Sequence, residues 1–451
     1  MPERPDPLPP LPAPAPPGDR REGGGPGRIV VVSASVGAGH DGAAAGLAER
    51  LRAHGYLVDR RDFLDLLPAG AGRLLCGGYH RLLTWAPEGY QHLYRTTDRS
   101  RPGRVWRALF RSAGRRLLRD LPPDTRAVVS TYPGASQVLG ALRRRGALAV
   151  PALTYLTDFS VHALWVAAGI DAHLAVHAVP AAQAHAQGAA AVTVAGPVAD
   201  PRFTPAAAGQ RSGARARFGL PERGPLALMV AGSWGVGPVR QAAAEIRATG
   251  LAVPVVVCGR NDALAARLRQ DGVEHAFGWV DDMPGLMHAC DVLVQNAGGL
   301  TSLEAFAAGL PVASYRCIPG HGRTNARALE EAGLAAWIRG ADDLAPVLAQ
   351  LLHGQRGEAQ RAAGIALHRS APGPVPAIAA RAGDRPAAPA PGRRPSPARR
   401  PERRRGRLRL GAAALAAAAA LSLGVAAPVA HAYHHDPARF TVAHYLHGDR
   451  S

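Results

Sequence analysis

Residues 278–333 read GWVDDMPGLMHACDVLVQNAGGLTSLEAFAAGLPVASYRCIPGHGRTNARALEEAG. An apolar strand from Asp291 to Val294 runs into Gly298 and Gly299, and apolar positions at helical spacing follow from Thr301 to Ala308. That order is strand, tight turn, helix. Glycines in such a turn let backbone N–H groups approach an anion, and the positive end of the helix dipole favours phosphate there. Glu304 stands one turn into the helix, too close to a diphosphate to be its partner but able to accept hydrogen bonds from ribose hydroxyls. A Gly-Gly pair before a helix equally suits a plain αβ turn, so the surrounding elements carry the decision.

Upstream, LALMVAGSWGVGP is a second apolar strand that ends in a Gly-rich loop (Gly232, Ser233, Gly235, Gly237) before a helix. PVVVCG and EHAFGWV add further strands. Pro197, Pro201 and Pro205 interrupt the pattern, and a domain boundary falls near residue 200. Before it the alternation runs RIVVVSAS, the loop VGAGH with Gly39 and His40, a helix, YLVDRRDFLD, RAVVST, VPALTYLTD and HLAV. Strands alternating with helices predict parallel sheets covered on both faces. Asp158 ends its strand, where open α/β sheets place ligands and where an Asp equally caps a helix. His40, as a lone loop histidine, suits a structural or merely exposed role as well as a chemical one.

Lys+Arg 53 against Asp+Glu 34 gives a net charge of +19 and an anionic partner, nucleic acid or membrane lipid. The charge is densest from Arg73 to Arg119, where eleven arginines face only Glu88 and Asp98 among Tyr79, Trp85, Tyr90, Tyr94, Trp106 and Phe110. Basic helices with aromatics fit an anionic lipid surface or RNA, and equally a solvated face whose aromatics enter the core. Cys76, Cys258, Cys290 and Cys317 form no CxxC pair, which argues against a zinc site or disulfide framework and fits a reducing cytosol. No carboxylates cluster in the manner of a Mg²⁺ or Mn²⁺ site, so neither metal nor cofactor is expected.

The 278–333 stretch, the VGAGH loop and the run TDFSVHALWVAAGID resemble the UDP-sugar glycosyltransferases of family 28, in particular the monogalactosyldiacylglycerol synthase and processive diacylglycerol glucosyltransferase group. The resemblance spans residues 28–353 and implies a GT-B fold, two Rossmann-like domains facing across a cleft. Residues 28–200 are then the acceptor-side domain and 201–355 the UDP-sugar-binding domain. It implies that His40 faces the cleft as the base, and that Asp158 orients it or is itself the base. Ser233 and Gly235 would touch the donor diphosphate, and the backbone at Trp279 and Val280 the uracil. Gly39, Gly298, Gly299, Leu300, Thr301, Glu304, His321 and Asn325 complete the implied donor site. His162 and Trp165 lie on the acceptor side. One departure stands in the best-matched run: family members usually carry Gln after Pro-Gly, where this chain has His321.

The implied activity is inverting transfer of a hexose from a UDP-sugar to a membrane lipid, diacylglycerol in the first place, at an anionic membrane surface and without nucleic acid. An N-acetylglucosaminyl transferase acting on a lipid-linked precursor and a non-catalytic nucleotide-sugar- or lipid-binding protein are the alternatives. Outside the two domains, residues 1–27 are Pro- and Gly-rich and read as disordered. Residues 356–407 read as a Pro/Ala/Arg linker, and 408–432 as an Ala-rich transmembrane or signal-like segment ahead of a short tail, 433–451. Arginines before that segment predict that the enzyme stays on the cytoplasmic face.

Overall fold

A computed structural model describes residues 27–68, 70–97 and 104–383. The expected N-terminal segment, the linker beyond Gly383 and the apolar segment 408–432 lie outside the described residues. No described helix is long and apolar enough to cross a membrane.

The first domain is built on a parallel sheet of β1 (Arg28–Ser33), β2 (Leu57–Asp62), β3 (Thr125–Ser130), β4 (Ala152–Tyr155), β5 (Ala172–Ala175) and β6 (Val192–Val194), in the order β2-β1-β3-β4-β5-β6. Ile29, Val30 and Val31 have no solvent exposure, which is why β1 reads as an unbroken apolar run rather than an alternating one. Its helices are α1 (Ala38–Ala53), α2 (Ala71–Trp85), α3 (Pro87–Thr97), α4 (Arg104–Asp120), α5 (Pro133–Arg144) and α6 (Ala178–Ala186). The second domain opens with α7 (Gln210–Arg217). Its strands are β7 (Leu226–Val230), β8 (Val253–Val257), β9 (Ala276–Phe277), β10 (Val292–Gln295), β11 (Val312–Tyr315) and β12 (Ala336–Ile338), parallel in the order β12-β11-β10-β7-β8-β9. Between them run α8 (Val239–Ala248), α9 (Asp262–Gln270), α10 (Met283–Ala289), α11 (Leu300–Ala307), α12 (His321–Glu331) and α13 (Leu344–His353). The expected pair of Rossmann-like sheets is present. In each, the strand order reverses beside the first strand, between β1 and β3 and between β7 and β10, and that is where open α/β sheets hold ligands.

The linker expected from residue 356 is corrected over its first part. Residues Gln355–Ser370 form α14 and Pro374–Gly383 form α15. The last helix returns to the first domain, where Ile378 is fully buried and Arg381 Nη1 donates to the carbonyl of Asp171 at 2.6 Å. Nothing in its Ala- and Pro-rich composition signals this, because a ten-residue helix owes its stability to the surface it packs on.

Candidate active site

The carboxyl ends of both sheets border one cavity of about 1250 Å³. The loops after β1, β3 and β4 contribute one wall and those after β7 and β10 the other. His40, in the first turn of α1, faces this space. Its Nδ1 lies 2.9 Å from the carbonyl oxygen of Thr131 and 3.1 Å from Thr157 Oγ1. A carbonyl only accepts, so these partners assign the ring proton to Nδ1 and leave the lone pair on Nε2. Tyr132 stands edge-on to the imidazole at 5.4 Å and Trp165 tilts over it at 5.9 Å, so the ring is framed as well as hydrogen-bonded.

The expected orienting role of Asp158 is corrected. Among the described residues no hydrogen bond or ion pair joins it to His40; Asp158 Oδ2 instead accepts from Trp165 Nε1 at 3.2 Å. Thr131 and Thr157, at the ends of β3 and β4, take that role, and nothing in their local sequence distinguishes them from ordinary strand-end threonines. Asp158 still borders the cavity, as the alternative base requires. His162 is committed on both ring nitrogens: Nδ1 accepts from the N–H of Leu164 at 3.1 Å, and Nε2 reaches the carbonyl of Tyr94 at 3.1 Å. It ties α3 to the loop after β4 and has no nitrogen left for an acceptor. Trp165, 1% exposed, acts through its contacts with Asp158 and His40.

Across the cavity, β10 passes through Gly298 and Gly299 into α11. Gly298 has φ +75°, and a Cβ there would come within 2.7 Å of Asn325 Cβ, so this position is restricted to glycine. The N–H groups of Gly299, Leu300 and Thr301 have no partner among the described residues, as the start of a helix leaves them. Gln295 Oε1 and Ser302 Oγ are buried without partners beside them, and both residues border the cavity. Neither is marked by a motif; a serine in GGLTSLE, one turn from the glycines, is the one sequence signal. Unpartnered N–H groups, a helix N-terminus and buried hydroxyl and amide oxygens form a site for an oxyanion with hydroxyls nearby. Glu304 borders the same space, and its carboxylate has no hydrogen-bond partner among the described residues. Burial and the nearby Asp200 carboxylate push its carboxyl up to about 7.

Ser233 borders the cavity on the loop after β7, whereas Gly235 does not. Gly235 turns that loop against Asn261 and Leu264, a correction to its expected place on the donor. Trp279, 50% exposed, and Val280 stand at the rim, with Arg260 over the indole at 5.1 Å. Asn325 is also corrected. It is fully buried, donates to the carbonyl of Ala297 at 3.0 Å and accepts from the N–H of Ser160 at 2.7 Å, so it joins the domains instead of facing the cavity. His321, at the start of α12, does face it. Burial pulls its imidazole below the ordinary histidine range, with Asp158 opposing that pull, so the ring is neutral near pH 7.

From His40 the cavity continues beneath α2, α3 and α4 as an apolar arm that includes Phe63, Leu75, Leu82, Leu83, Trp106 and Phe110. Most aromatics of the basic segment thus turn inward, and Trp85, 84% exposed, is the one that stands out in solvent. Among the described residues, no three His, Cys, Asp or Glu side chains gather to hold a metal.

The family model described as Monogalactosyldiacylglycerol (MGDG) synthase matches residues 40–196, and that described as Glycosyl transferases group 1 matches residues 230–353. The processive diacylglycerol beta-glucosyltransferase of Bacillus pumilus (strain SAFR-032) is 25% identical over 338 residues, 72% of this chain and 86% of its own. Its counterpart in Bacillus subtilis (strain 168) is 23% identical over 337 residues, 72% of this chain and 87% of its own. The crystal structure of LpCGTa in complex with UDP is alike in fold, with a TM-score of 0.50 at 16% identity over 80% of this chain and 100% of its own. Both halves of the chain are similar to glycosyltransferases, as the motifs indicate, and the protein is an enzyme of that class.

Proposed function

We propose that this glycosyltransferase moves a hexose from a UDP-sugar to the free hydroxyl of a diacylglycerol-type lipid, with inversion at the anomeric carbon. The observation that carries the reading is His40, held through Nδ1 by the Thr131 carbonyl at the junction of an oxyanion site and an apolar arm. The lipid hydroxyl attacks the anomeric carbon while His40 Nε2 takes its proton. The bond from that carbon to the diphosphate oxygen breaks, and its electron pair leaves on UDP. The free N–H groups of Gly299, Leu300 and Thr301 at the positive end of α11 meet the developing charge. Glu304 accepts from the ribose hydroxyls, and His321 from a sugar hydroxyl. The acyl chains occupy the arm under α2 to α4, while the outward stripe Arg111, Arg115 and Arg119, with Trp85, rests on an anionic membrane. Residues 408–432 would add a second attachment. The names of the relatives, which act on diacylglycerol, support the acceptor class.

The test supplies the full chain with UDP-glucose, UDP-galactose or UDP-N-acetylglucosamine and vesicles with or without diacylglycerol. A labelled glycolipid should form only with diacylglycerol and carry a β linkage. An α-linked product removes the inverting step, and failure of all three donors to give glycolipid removes the reading.

A further inference from the structure

The helices over the apolar arm also hold the donor wall of the cleft. Gln91, on α3 and 8% exposed, accepts from the N–H of Gly320 through Oε1 at 2.6 Å. Gly320 has φ +71°, and a Cβ there would lie 2.6 Å from Tyr90 Cε1 and 3.1 Å from Tyr94 Cγ, so only glycine lets α3 approach. The hydroxyl of Tyr90 shares a 2.9 Å hydrogen bond with His321 Nδ1, one residue on. α2 makes a parallel contact: Tyr79 and His80 set their rings edge-on to Trp234, at 6.1 and 5.0 Å, in the loop after β7. Both donor-side loops are therefore held by two helices that also line the cavity, α2 through Leu75, Leu82 and Leu83 and α3 through Leu93 and Tyr94.

We propose that Gln91 and Tyr90 on α3, with Tyr79 on α2, are positioning residues that set the Gly320–His321 turn and the Trp234 loop when an acyl acceptor fills the arm, so that acceptor and donor bind with positive cooperativity. The inference rests on the arm being the lipid site. A closely packed helix pair responds to filling of the space beneath it by shifting as a unit, and α3 transmits the shift through a buried hydrogen bond rather than a solvated one. Coupling between two binding sites is reciprocal, so it is legible from the donor side alone.

UDP cannot react, so its affinity reports coupling without turnover. Calorimetric titration of UDP into the full chain is made with phosphatidylcholine vesicles that either contain or lack dioleoylglycerol. Dioleoylglycerol should tighten UDP binding by roughly 5- to 50-fold in the native chain. In Gln91→Ala, and in the milder Tyr90→Phe, the enhancement should fall below about twofold, since the link and not the site is removed. Tyr90→Phe keeps the ring that packs on Gly320, so it reports even where Gln91→Ala fails to fold. Equal UDP affinity with and without dioleoylglycerol in the native chain overturns the coupling, as does full enhancement in both variants. Absence of UDP binding under either condition instead removes the donor reading on which the coupling rests.

Discussion

His40 and Glu304 separate chemistry from binding. In the proposed transfer His40 is the base, so His40→Ala should lower kcat about 10²–10⁴-fold with UDP affinity nearly unchanged. Asp158→Asn keeps the shape that meets Trp165 Nε1, so it should lose less than His40→Ala; the reverse ranking in glycolipid synthesis would transfer the role of base to Asp158. Glu304 behaves differently because its folded carboxyl titrates near 7, above its ordinary 4.5. The folded state thus holds a proton that the unfolded chain has released, and stability falls as pH rises from 4.5 toward 7. Glu304→Gln should therefore raise the melting temperature of the ligand-free protein at pH 8, with the gain vanishing near pH 4.5. The same change should weaken UDP binding by about 1–2 kcal/mol, as a charge-assisted hydrogen bond becomes a neutral one. A residue that costs stability while it serves the ligand is common at sites built for binding.

Helices α2, α3 and α4 each present two unlike faces. Inward, their leucines and aromatics close the apolar arm; outward, α4 sets Arg111, Arg115 and Arg119 at helical spacing, and α2 exposes Trp85. An exposed tryptophan gains from burial at a lipid interface and exposed arginines gain from headgroup charge, the latter screened by salt. Sedimentation with phosphatidylglycerol vesicles should be strong at low salt and weaken as salt rises. Serine at Arg111, Arg115 and Arg119 together should flatten that salt dependence, and Trp85→Ser should lower binding at every salt concentration. Equal sedimentation of all forms would show that these faces do not dock.

At the scale of the molecule, α15 crosses back from the second domain onto the first. Val375, Ile378 and Ala382 join the same apolar cluster as Ile29 and Val31 of β1. Ile378 has no exposure, so Ile378→Ala should cost about 2–5 kcal/mol, read as a lower urea midpoint for the full chain. A loss under about 0.5 kcal/mol would mean that the helix contributes little to holding the domains together.

His40 is placed at the cleft by the family resemblance, whereas the two parallel sheets, the turn at Gly298 and Gly299 and the place of Glu304 one turn into the following helix are written in the local sequence. Those features are local: apolar runs of strand length, glycines required by backbone geometry and polar residues at strand ends all leave their mark within a few positions. That Thr131 and Thr157 orient His40, that Asn325 is a buried bridge to Ser160 and that Gly235 turns away from the cavity follow from the folded chain alone. Each of those outcomes depends on groups far apart in the chain meeting in space, within one domain for His40 and Gly235 and across the domain boundary for Asn325, and neither periodicity nor composition records such a meeting. The same holds for α15, since a short Ala- and Pro-rich segment becomes a helix through the face it packs upon.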